Sequence, residues 1–140
     1  MKTLLISILS FYLFTQPNTT NLSININDID KVGEGQIRVF LWDHSEGFPS
    51  KIENARYKGT ISEFGETATY QFEGIPYGDY AVSVHQDKNK NDEMDTNFLG
   101  IPKEPVGAYN MKGIGKPKFK KSIVTLNQPT HQLSIKMMND

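Results

Sequence analysis

The stretch GIPYGDYAVSVHQDKNKNDEMDTNFLGIPKEPVGAYN, residues 74–110, decides how the rest of the chain is read. It opens with a turn, GIPYGD, in which proline and glycine occupy positions that turns favour. Residues 80–85 then alternate as a strand. Tyr80, Val82 and Val84 share one face, and Ala81, Ser83 and His85 form a smaller, more polar one. An acidic, oxygen-rich loop follows. Residues 98–109, broken by two prolines and two glycines, read as irregular.

The loop sets Asp87, Asn89, Asn91 and Asp95 at relative positions 1, 3, 5 and 9. This is the start of a calcium-loop pattern, in which positions 1, 3 and 5 supply side-chain oxygens and position 7 a backbone carbonyl. The expected Ca²⁺ ligands are therefore Asp87, Asn89, Asn91, the Glu93 carbonyl, and Asp95 directly or through water. Position 12 is Phe98, so the bidentate glutamate of an EF-hand is missing. Glu104, past the bend at 100–102, is a carboxylate that can return to the site. No helical pattern flanks the loop, so the fold is not that of an EF-hand. Asp and Asn also build polar hairpin tips through local hydrogen bonds, and that reading stands beside the ionic one.

Working outward, Leu22, Ile24 and Ile26 alternate with polar residues as a half-buried strand. Residues 36–42 form a second strand, with Ile37, Val39 and Leu41 on one side and Arg38, Phe40 and Trp42 on the other. Both sides are largely apolar, so this strand is central or has one face covered by a loop. Residues 44–50 (HSEGFPS) read as a loop anchored by Phe48. Within 51–61, Ala55, Tyr57 and Gly59 alternate as a weaker strand. In 67–73, Ala68, Tyr70 and Phe72 point inward. Residues 111–117 are a mobile, glycine-bearing loop, and 121–126 and 131–137 close the fold as two strands. No sustained 3.6-residue apolar period occurs after the N-terminus. About seven short strands separated by turns predict an all-β fold, a single antiparallel β-sandwich over residues 17–140.

The first sixteen residues differ from the rest. Lys2 precedes an apolar run of eleven residues, 4–14, and then Thr15, Gln16 and Pro17 break it. This is the length of a signal-peptide core, whereas a membrane span needs roughly twenty apolar residues. Residues 1–16 are expected to be a signal peptide, and the protein to be exported, periplasmic or extracellular, with no membrane span in the mature chain. Fifteen basic side chains less Lys2 leave fourteen against sixteen acids, a formal charge of −2. That balance makes no electrostatic case for nucleic acid. The absence of cysteine excludes disulfides, thiolate metal sites and a cysteine nucleophile.

The central stretch resembles an uncharacterised family of small exported bacterial β-sandwich proteins, known only as a domain of unknown function. The resemblance rests on FEGIP at 72–76, GDYAV at 78–82, Asp87-x-Asn89-x-Asn91, and DTNFLGIPKE at 95–104, continuing to Gly107 and Asn110. It implies a secreted prealbumin- or immunoglobulin-like sandwich and no established activity. The chain departs from the family's pattern at Asp92, where glycine is common, and at His85-Gln86, where an aromatic-His pair is common. A sixth loop position that needs positive φ is tolerated better by Asp than by most residues other than glycine.

Three functional readings follow. The first is a non-catalytic binding or accessory module at the cell envelope, with a structural Ca²⁺ loop and an unknown envelope or extracellular ligand. The second is a carbohydrate- or peptide-binding module that uses exposed aromatics, with Phe40, Trp42, Tyr57, Tyr77 and Tyr109 as candidates. The third is a hydrolase-like centre of His85 with Asp87 or Glu104, which requires those side chains to converge in a pocket. His85 alone is a weak transition-metal signal, because no second histidine lies nearby in sequence. No nucleophile elbow, zinc-binding HExxH helix or phosphate-binding glycine loop is present.

Overall fold

Alternation of buried and exposed side chains builds the first sheet. The computed structural model describes residues 18–138. In β1 (Thr19–Asn27) Leu22, Ile24 and Ile26 are fully buried, while their neighbours remain partly open. β4 (Ala68–Pro76) runs antiparallel along one edge of β1, and β8 (Thr130–Lys136) runs parallel along the other. The second sheet has the order β3-β2-β5-β6, from β3 (Tyr57–Ile61), β2 (Gln36–Trp42), β5 (Gly78–Asp87) and β6 (Val106–Ala108). β7 (Ile123–Leu126) joins it by pairing with β5. The ten-residue β5 is long enough to share one edge. Its residues 83–85 pair with β6, and its residues 78–81 pair with β7.

The described residues thus form the expected all-β sandwich, with eight strands in sheets of three and five. Three details differ from the sequence reading. Strands β1 and β8 are parallel, the region read as irregular contains β6, and GIPYGD at 74–79, read as a turn, is strand on both sides of Tyr77, since β4 runs to Pro76 and β5 starts at Gly78. A three-residue strand is too short to show a period, and the Gly and Pro around it point to a loop. The only helical turns among the described residues are the 3₁₀ segments Ile52–Asn54 and Phe119–Lys121. Residues 1–16, expected from the sequence to be a signal peptide, lie outside the described residues.

The main core lies between the sheets. Val82 and Val84 are fully buried with Ile37 and Val39, Phe72 joins them, and Tyr70 packs against the group while partly exposed. The opposite face of the five-stranded sheet is buried as well. There Phe40, Trp42, Ala81 and Val106 pack with Phe48, Ile52, Ala55 and Met94, which come from the connections between strands. Strand β2 is therefore central and loop-covered, which accounts for its two apolar faces. Trp42 donates its indole N–H to Ser83 Oγ at 2.9 Å, so this second core also satisfies its polar edge.

Candidate functional site

β5 delivers His85 and Asp87 to the loop-covered face, two residues apart and hence on the same side of the strand. Both are fully buried. Register places His85 opposite Arg38 of β2 and Val106 of β6. Its ring stacks on Phe40, with centroids 5.7 Å apart and planes 7° from parallel.

After Asp87 the chain winds tightly. Asp87 accepts hydrogen bonds from the Asn91 N–H on Oδ1 (3.2 Å) and from the Asp92 N–H on Oδ2 (3.0 Å). Asn89 Oδ1 accepts from the Asn91 N–H, and Asn91 Oδ1 from the Glu93 N–H. The side-chain amides of Asn89 and Asn91 both donate to the Asp95 carboxylate, at 2.7 and 3.0 Å. Positions 1, 3, 5 and 9 of the loop are therefore drawn together. Glu93 is tied in through its backbone, and its side chain is exposed. Asp92 adopts φ +60°, the left-handed conformation for which glycine is usual at this place. Its carboxylate is held by Arg38 and by Gln36 Nε2, and Gln36 Nε2 also reaches Asp87 Oδ2 at 2.9 Å. Gly35 (φ +76°) lies flat against the strand end, where a Cβ would come within 2.1 Å of the Asp87 carbonyl oxygen.

The excursion 95–103 returns the chain to this point. The Lys103 N–H donates to the Asp95 carbonyl at 2.8 Å, Thr96 bridges Pro102, and Asn97 Oδ1 caps the Leu99 and Ile101 N–H groups. Phe98, Leu99 and Ile101 stand out at its tip, with Phe98 94% exposed. Glu104 then enters the interior, where its Oε1 accepts the Lys88 N–H at 2.8 Å. One ligand atom each from His85, Asp87 and Glu104 lies within 4.8 Å of the others, and all three residues are buried.

Burial sets the charge states here. It pushes the His85 imidazole down to about 4; Arg38 adds to this, while Asp87, the Glu93 backbone and Asp95 oppose it. Burial likewise pushes the Glu104 carboxyl up, against the lowering effect of the Lys88 N–H. His85 Nε2 and Glu104 Oε2 are 3.9 Å apart, beyond hydrogen-bond reach. The three side chains do converge, but His85 is fully buried and stands beyond hydrogen-bond reach of Glu104, so the paired acid and base that the hydrolase reading requires are not formed.

The aromatic platform also fails in part. Phe40 and Trp42 are fully buried in the second core, and Tyr57, Tyr77 and Tyr109 are half-buried. An aromatic on a strand with two buried faces is packing, and only the tertiary cover over that face reveals it.

Residues 24–134 match the family model described as an uncharacterised protein conserved in bacteria, DUF2141. The chain belongs to the DUF2141 family. The match takes in every element that builds the DUF2141 loop, from β2 through Glu104 to β6. No curated protein and no solved structure matches the chain. No helix among the described residues is long and apolar enough to cross a membrane.

Proposed function

We propose that this DUF2141 protein is an exported, non-catalytic binding or accessory module of the cell envelope, whose loop 87–95 takes up Ca²⁺ as a structural ion. The observation that carries the reading is the winding of the loop around Asp87. That carboxylate gathers the Asn91 and Asp92 N–H groups, and Asp92 assumes the positive φ that the sixth position of such loops requires.

The ligands are the Asp87, Asn89 and Asn91 side chains, the Glu93 carbonyl and Asp95. Each amide oxygen has two lone pairs, one engaged by a backbone N–H and one left for an ion. The Asn89 and Asn91 side-chain amides donate to the Asp95 carboxylate, and a bound cation takes their place there. Beside the loop a surface groove of about 500 Å³, lined by Arg38, Lys51, Lys58, Asp92 and Glu93 among others, offers both signs of charge to an extracellular or envelope ligand.

The test is a thermal melting series against calcium for the wild type and for Asn89→Ala combined with Asp95→Ala. Wild type gains stability with calcium and less with magnesium, and the double variant does not respond. Equal responses from the two proteins would mean that the loop is a solvated hairpin tip.

A further inference from the structure

Behind the loop, three buried polar atoms have no well-formed hydrogen bond, although the Glu93 backbone lies near the His85 ring and that of Asp95 near the Glu104 carboxyl: Nδ1 and Nε2 of His85 and Oε2 of Glu104. An unsatisfied buried polar group is destabilising and calls for a water or an ion. The His85 side chain is fully buried and that of Glu104 is 7% exposed, so bulk solvent does not satisfy them.

The spacing suits one shared cation. Tetrahedral zinc bonds of roughly 2.0–2.2 Å put two donors about 3.3–3.6 Å apart. The 3.9 Å between His85 Nε2 and Glu104 Oε2 is slightly wider than that, so the pair closes a little on an ion, and it is too long for a hydrogen bond. Charge agrees as well. One neutral imidazole and two carboxylates carry −2 when ionised and match a divalent ion, whereas without one Glu104 is a buried carboxylate beside Asp87. The other Glu104 oxygen is already oriented by the Lys88 N–H, and Asp87 by Gln36 and two backbone N–H groups. Such outer contacts fix ligands for a metal.

We propose that His85, Asp87 and Glu104 bind a divalent transition-metal ion, with zinc as the metal suited to this nitrogen and oxygen donor set, in a site that shares only Asp87 with the calcium loop. Imidazole selects for zinc and its neighbours over calcium, which prefers oxygen throughout. The proposal stands whether or not the loop binds calcium.

The experiment uses the full exported chain, stripped with chelator and titrated with Zn²⁺ by calorimetry and with Co²⁺ by visible absorption. Wild type is expected to bind one equivalent of each and to give cobalt bands typical of mixed nitrogen and oxygen ligation. His85→Ala and Glu104→Gln are each expected to weaken zinc at least tenfold. Asn89→Ala with Asp95→Ala keeps zinc binding while losing any calcium response. Absence of saturable binding in wild type would overturn the proposal. So would unchanged affinity in His85→Ala, or zinc loss in the Asn89/Asp95 double variant equal to that in His85→Ala. If His85→Ala does not fold, the near-isosteric Glu104→Gln decides: unchanged affinity there overturns the site.

Discussion

The Lys88 backbone N–H donates to Glu104 Oε1 at 2.8 Å, joining residues sixteen positions apart at the point where β5 ends. This bond fixes the return of the 95–103 excursion and brings a carboxylate beside His85 and Asp87. The buried trio and the oxygen-rich loop therefore meet on one side chain, Asp87, whose carboxylate caps the winding outside and faces the polar cluster inside.

The core on the inner face of β5 sets the stability of the whole loop. Val84 is fully buried opposite Val39. Val84→Asp would bury a charge with no partner and should cost several kcal/mol, a large part of a domain's total stability. Chemical denaturation should show an unfolded or severely weakened variant, and an unchanged midpoint would contradict the assigned register.

Gly35 tests how the loop is seated. A Cβ there would meet the Asp87 carbonyl oxygen at 2.1 Å and Lys88 Cα at 2.5 Å, at a φ of +76°. Both contacts are with backbone, so no rotamer change relieves them. Gly35→Ala should cost at least about 2 kcal/mol, and amide hydrogen exchange should rise across 86–92 more than in β1.

Asp92 separates conformation from charge. Its φ of +60° is tolerable for Asp, free for Gly and strained for a β-branched residue. Asp92→Gly takes the carboxylate from an Arg38 side chain that is only 12% exposed but relieves the backbone, so it should destabilise less than a β-branched substitution. Asp92→Val should lose about 1–3 kcal/mol. Equal melting temperatures for the two variants would show that the left-handed conformation is not needed.

Calcium affinity should be modest, because Phe98 replaces the bidentate position-12 glutamate. A dissociation constant on the order of 10⁻⁴ to 10⁻³ M is expected, as in extracellular modules. Stabilisation should then be a few tenths of a kcal/mol at calcium near that constant and about 2.7 kcal/mol at a hundredfold excess. A plot of stability against log calcium that stays flat through the millimolar range would rule this out.

Export should remove the apolar leader. N-terminal sequencing of tagged protein recovered from outside the cytoplasm should begin after about sixteen residues, and a mature chain starting at Met1 would contradict cleavage.

Much of this architecture is legible in the sequence because the strand period is local. Leu22, Ile24 and Ile26, or Val82 and Val84, declare an inward face within a few residues, since burial of apolar surface acts residue by residue. The two apolar sides of β2 announce a central, covered strand, and the Asp/Asn spacing announces a wound loop because Asx side chains bond to nearby backbone. By themselves, these patterns determined the all-β class, most strand positions and the residues of loop 87–95. The tertiary structure alone decided which strands are neighbours, including the parallel pairing of β1 with β8, because pairing partners are chosen by contacts far apart in sequence and a side-chain period carries no partner information. It also decided that Trp42 and Phe40 belong to a second core, and that Glu104 closes on Lys88 beside His85. A lone histidine and a glutamate nineteen residues later have no local signature; only the folded excursion between them brings both into one water-poor space, where an unpaired nitrogen and oxygen become chemically significant.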